Sequence, residues 1–116
     1  MNMHWNLYNY TLSLNDNLKI TNDVHFAKRY GCIVWLNINA IKASLVNSTI
    51  LNTNYRPLFD MLVDCLITSN GKCYPGEVKI GTDGKLTAFL YIPDSSGLVV
   101  ASPDYVVYSN AFWLIG

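Results

Sequence analysis

The sequence predicts an all-β fold, an antiparallel β-sandwich or barrel of about eight to nine short strands, on three observations. Apolar and polar residues alternate with a period of two in segment after segment, as half-buried strands require. Two Gly-containing four-residue stretches, Ser69-Asn70-Gly71-Lys72 and Gly81-Thr82-Asp83-Gly84, have the chemistry of tight hairpin turns. The strongest apolar segment is rich in β-branched and aromatic side chains, which suit a pleated surface better than a helix.

Taken in order, Tyr8, Tyr10, Leu12 and Leu14 alternate with Asn9, Thr11 and Ser13, and Asn15-Asp16-Asn17 follows as a turn. Short strands are expected over 18–21 and 24–30, with Gly31 as the break. The strongest strand runs over 32–43: Val34, Leu36, Ile38 and Ala40 share one face, and Ile33, Trp35, Asn37, Asn39 and Ile41 the other. Residues 44–54 are polar, with a brief strand over 49–51, and Tyr55-Arg56-Pro57 is a bend, because the residue before proline is pushed out of the helical region.

Residues 58–68 fit two patterns. Leu58, Met61, Leu62, Cys65 and Leu66 would line a helix that begins at Pro57; Phe59, Met61, Val63, Cys65 and Ile67 would line one face of a strand. The Asn70-Gly71 turn wants a strand on each side, which favours the second. Further strands are expected over 77–80, 86–92 and 105–115, with a loop over 93–97 and a turn at Pro103-Asp104.

At 116 residues the chain has the size of one domain, 1–116, able to build a real core. Hydrophobic residues make up 51% and charged residues 14%, a balance that excludes disorder. Thirteen asparagines, with Ser and Thr, supply the polar surface that charge does not. Eight basic and eight acidic residues cancel without forming a basic cluster, so nucleic acid is not an expected partner. The longest apolar runs, 30–36 and 86–93, are too short to insert in a membrane, and residues 1–10 have no secretory-signal pattern.

Chemistry is scarce. Cys32, Cys65 and Cys73 are odd in number and lack metal-ligand spacing, so free thiols are expected, with a Cys65–Cys73 bridge as the alternative. The two histidines, His4 and His25, have no nucleophile elbow to serve, and His25 with Asp23 reads as a surface pair. Asp60 and Asp64, if on one strand face, would stand about 13 Å apart, too far for a glycosidase pair. No catalytic residue, metal site or cofactor is expected. Fifteen aromatics, eight of them tyrosine, together with Asn and Asp, would suit a surface that stacks on sugar rings and bonds their hydroxyls. The candidate saccharide-binding residues are Tyr91 and Asp94 at the 93–97 loop, with Tyr74 and Asn70 from the neighbouring hairpin.

Several elements in order also carry a resemblance: Trp5-Asn6-Leu7, Phe26-Ala27-Lys28-Arg29-Tyr30-Gly31, the strand 33–41, Leu51 with Tyr55-Arg56-Pro57, residues 78–86 around the Asp83-Gly84 turn, and the closing Phe112-Trp113-Leu114-Ile115. Together they resemble the C-terminal head domains of receptor-binding or baseplate (tail fibre) proteins of tailed bacteriophages, as in phages of Gram-positive bacteria. The family's usual Leu-Pro-x-Gly approach to the bend reads Leu51-Asn52-Thr53-Asn54 here. The resemblance implies a non-catalytic head at the virion tail tip, assembled in the host cytoplasm, commonly a homotrimer, that contacts other tail or baseplate proteins and binds host cell-wall saccharide. A structural virion subunit acting only through protein–protein contacts is the alternative. Within this frame Tyr55-Arg56-Pro57 is structural, with Arg56 bonding backbone carbonyls around the bend.

Overall fold

The computed structural model describes residues 10–12, 26–92 and 97–115, and its fold is all-β and antiparallel. The expected features at Trp5, 15–17, 18–21, His4, Asp23, His25 and 93–96, Asp94 among them, lie outside the described residues. Eight strands form one open sheet: β1 (Tyr10–Leu12), β2 (Phe26–Tyr30), β3 (Ile33–Lys42), β4 (Met61–Ser69), β5 (Lys72–Ile80), β6 (Leu86–Tyr91), β7 (Leu98–Val100) and β8 (Val106–Leu114). Their spatial order is β1-β2-β3-β8-β4-β5-β6-β7, so the closing strand β8 is inserted between the β2–β3 and β4–β5 hairpins.

The sheet curls around its core. A four-residue helix, α1 (Ala43–Val46), touches β3, β8 and β6. In the sheet, β3 and β6 are four strand spacings apart, about 19 Å if flat. A helix of four residues is only about 6 Å long, so it reaches both only if the sheet folds over it. The enclosed side holds Val34, Leu36 and Ile38 of β3, Ile67 of β4, Val78 and Ile80 of β5, Leu86 and Ala88 of β6 and Val107 and Ala111 of β8, all buried in one cluster with Val46 and Leu51.

Strand won over helix at 58–68 because each partner of β4 supplies a ladder. Met61 to Ser69 pairs in register with β5 from Ile80 to Lys72, and Cys65 to Thr68 pairs with β8. The hairpin turn is built as its sequence predicts, with positive φ at Asn70 (50°) and Gly71 (76°). Pro75 sits inside β5 without breaking it, since the β6 ladder begins only at Gly76. Gly76 itself is obligatory: a Cβ there would lie 2.2 Å from the Phe89 carbonyl oxygen.

Two expectations are corrected. The alternation of β3 does not run through to Ile41: a bulge between Asn39 and Ile41 places Ala40 at φ 60° and exposes it, and Ile41 turns inward. Residues 49–51 form no strand but a single bridge, Ile50 to Lys85, preceded by α1 and followed by a 3₁₀ turn at Thr53–Tyr55. This crossover has no ladder of its own, and side chains join backbone N–H groups in satisfying its carbonyls. Arg56 Nε donates to Leu51 O (3.0 Å), Arg29 Nη1 to Asn54 O (3.1 Å) and the buried Trp113 Nε1 to Tyr55 O (2.7 Å). Arg56 therefore has the role its motif suggested.

Candidate binding face on strands β3, β8 and β4

With the core enclosed on one side, the other side of the sheet is open. The β3–β8 register sets its side chains in opposed pairs: Ile33 with Leu114, Trp35 with Phe112, Asn37 with Asn110 and Asn39 with Tyr108. These are the positions between the buried Val34, Leu36 and Ile38, so strand alternation alone delivers them to the outer face. The Trp35 and Phe112 rings stack at 5.5 Å between centroids and 13° between planes. Phe112 remains 61% exposed, which leaves an aromatic surface facing solvent.

Beside that stack lies a hydrogen-bonded chain. Trp35 Nε1 donates to Asn110 Oδ1 (2.7 Å), and Asn110 Nδ2 donates to Asn37 Oδ1 (3.3 Å). An indole N–H can only donate, so it fixes which end of the Asn110 amide is oxygen and orients the next amide in turn. The two amides are planar, positioned groups rather than free rotors.

On the far side of β8 the sheet forks. β4 pairs with β8 only over Cys65 to Thr68, and the earlier part of β4 diverges. Ser109 Oγ donates to Asp64 O (2.9 Å) at the point of parting. The fork is a shallow cleft of about 480 Å³ across three strands, walled by Asn37, Asn39, Asp64, Leu66, Tyr108 and Asn110, with Ile38, Cys65 and Ser109 between them.

Asp64 stands directly opposite Glu77 of β5, and Tyr91 Oη donates to Glu77 Oε1 (2.7 Å). That bond above all, with burial and the charges of Glu77 and Asp64, holds the Tyr91 hydroxyl above the usual tyrosine range. Burial, followed by the charges of Glu77 and Asp64, pushes the Cys65 thiol up to about 12. Cys65 is thus kept as the neutral thiol, the wrong state for a nucleophile. It also cannot bridge to Cys73. Cys73 pairs with Thr68, three residues further along β4 and on the opposite face, about 10 Å along the strand, and all three cysteines are free.

The four residues expected to bind saccharide do not converge. Tyr91 lies on the outer face, engaged with Glu77. Tyr74 lies on the inner face, packed on the core and stacked on Tyr105 at 6.1 Å. Asn70 serves the hairpin turn through its positive φ. Asp94 is outside the described residues. The sheet separates Tyr74 from Tyr91, because they occupy positions of opposite parity relative to the buried residues of β5 and β6.

The residues of the cleft left a trace in the sequence. Asn37 and Asn39 are two amides on the face of the strongest strand that opposes its aliphatic side. Asn110 and Asp64 had no such signal, as their place beside Asn37 depends on β8 being inserted between β3 and β4.

Compared with protein-family models, curated proteins and solved structures, the chain matches none.

Proposed function

We propose that this domain is a non-catalytic attachment head that binds cell-surface saccharide on the β3–β8–β4 face. The observation that carries the reading is the ordered chain Trp35–Asn110–Asn37 beside the exposed Phe112 ring. Sugars present a flat C–H face that stacks on aromatic rings, and hydroxyls that bond planar amides and carboxylates. A shallow, open cleft suits weak single-site binding, made useful by several copies acting together. The motif resemblance to tailed-phage receptor-binding heads supports the same reading, with a homotrimer at the virion tail tip and host cell-wall saccharide as the partner.

The test is a glycan array and a titration with cell-wall polysaccharide, using the chain displayed multivalently. Binding should fall at least tenfold in Asn110→Ala and in Phe112→Ala, both at exposed positions where folding is spared. Binding that persists in both variants removes this face as the site.

A second reading is a structural virion subunit that uses the same side of the sheet for protein contacts. It is favoured by the exposure of Leu62, Leu66, Phe112 and Leu114, large apolar groups on the open face. Light scattering and the array separate the two: a stable oligomer that binds no saccharide favours the subunit.

A further inference from the structure

We infer that the β3–β8–β4 cleft selects uncharged saccharides and rejects anionic ones such as uronate- or phosphate-bearing polymers. The inference rests on the saccharide-binding reading above and specifies its substrate class.

Among the described residues that wall the cleft, Asp64, on β4, is the charged side chain and no cation stands beside it in that wall. Glu77 is the direct cross-strand neighbour of Asp64, so the two acidic residues share the outer face with Cβ atoms roughly 5 Å apart. The Glu77 carboxylate accepts from the neutral hydroxyl of Tyr91. The described lysines of this face are not among the residues that wall the cleft. Lys79 pairs with Asp60 at 3.8 Å, Lys85 adjoins the 81–84 turn, and Lys42 lies beyond the bulge, opposite Val106. The opposite wall is made of amides, Asn37, Asn39 and Asn110, which carry no net charge.

A ligand spanning the cleft would meet amide groups on β3 and β8 and a carboxylate on β4. A hydroxyl serves both, since it accepts from an amide N–H and donates to a carboxylate oxygen. A carboxylate or phosphate can only accept from the amides, and it faces Asp64 with no proton to offer and a like charge at close range. The cleft therefore matches adjacent hydroxyls of a neutral sugar and penalises an acidic one.

The experiment uses the full chain in multivalent form on an array of neutral oligohexoses, each printed beside its oligouronate and its phosphorylated counterpart, at low and at high salt. At low salt each neutral ligand that binds should exceed its anionic counterparts by at least tenfold, about 1.4 kcal/mol. The gap should shrink at high salt through screening. Glu77→Gln keeps an acceptor for Tyr91 and lies outside the cleft, so it should leave neutral binding unchanged and narrow the gap about threefold; Asp64→Asn should narrow it further. Equal binding of neutral and anionic ligands, binding of anionic ligands alone, or a gap that neither variant moves overturns this inference and leaves saccharide binding standing. No binding to any printed saccharide overturns both.

Discussion

Leu51 and Gly84 hold each other by backbone alone: the Leu51 N–H donates to the Gly84 carbonyl at 2.8 Å, and a Cβ on Gly84 would lie 2.6 Å from the Leu51 oxygen. The crossover and the β5–β6 hairpin meet at a point where no side chain fits. Gly84 also has φ 85°, and an added Cβ would approach Arg56 Nε to 2.7 Å. Gly84→Ala should therefore destabilise by about 2–4 kcal/mol, combining left-handed strain with a backbone clash. Urea denaturation measures this, and a loss under ~0.5 kcal/mol would mean that the two segments separate freely.

Arg56 completes the same junction through its hydrogen bond to the Leu51 carbonyl. Arg56→Ala should cost about 1.5–3 kcal/mol, the range for a hydrogen bond from a charged donor. Arg56→Lys should recover little of it, as lysine has no N–H at the position of Nε. Full rescue by lysine in thermal melts would show that charge, not the guanidinium fork, is what matters here.

Ala40 occupies the left-handed region at the β3 bulge, at φ 60°. Such a residue carries strain of about 1–2 kcal/mol, which glycine avoids. Part of that gain is lost because glycine makes the unfolded chain more flexible, by about 0.4–1 kcal/mol. Ala40→Gly should stabilise by roughly 0.5–1 kcal/mol net, while Ala40→Val should destabilise. A lower melting temperature for the glycine variant would indicate that the bulge is held by something other than its backbone conformation.

Cys65 links stability to alkaline pH. Its thiol, ordinarily at 9.0, is raised in the folded chain to about 12, first by burial and then by the charges of Glu77 and Asp64. Between these values the folded state holds a proton that the unfolded state has lost, so stability falls as pH rises through this window. Below pH 9 the contribution is fully present. Cys65→Ala should flatten the decline between pH 9 and 11, measured by urea unfolding at successive pH values. An unchanged slope would place the alkaline sensitivity elsewhere.

The thiols also differ in reactivity. Cys32 and Cys73 are exposed and Cys65 is partly buried and protonated. Titration of the folded chain at pH 8 should modify two thiols quickly and the third slowly, and all three rapidly after denaturation. One reactive thiol in the denatured, unreduced chain would mean a disulfide that the strand register forbids.

The elements of this fold are local properties, and most of them are legible in the residue pattern alone. Period-two alternation marks β3, β6 and β8, and the Asn70-Gly71 and Asp83-Gly84 turns mark where the hairpins reverse, because positive φ is a cost that only certain residues avoid. The identity of 61–69 as strand followed from its hairpin, not from its own ambiguous pattern. What the alternation could not reveal is where it fails. The bulge at Ala40 and the helix at Ala43–Val46 are stabilised by distant partners, with Ala43 N–H donating to Tyr105 O and Ser44 N–H to Pro103 O. Nor could it assemble a site. Tyr74, Tyr91 and Asn70 are close in sequence order, yet the sheet places Tyr74 and Tyr91 on opposite faces and spends Asn70 on a turn. Trp35, Asn37, Asp64 and Asn110 come together only because β8 is inserted between β3 and β4, a non-local pairing decided by how the whole sheet closes over its core.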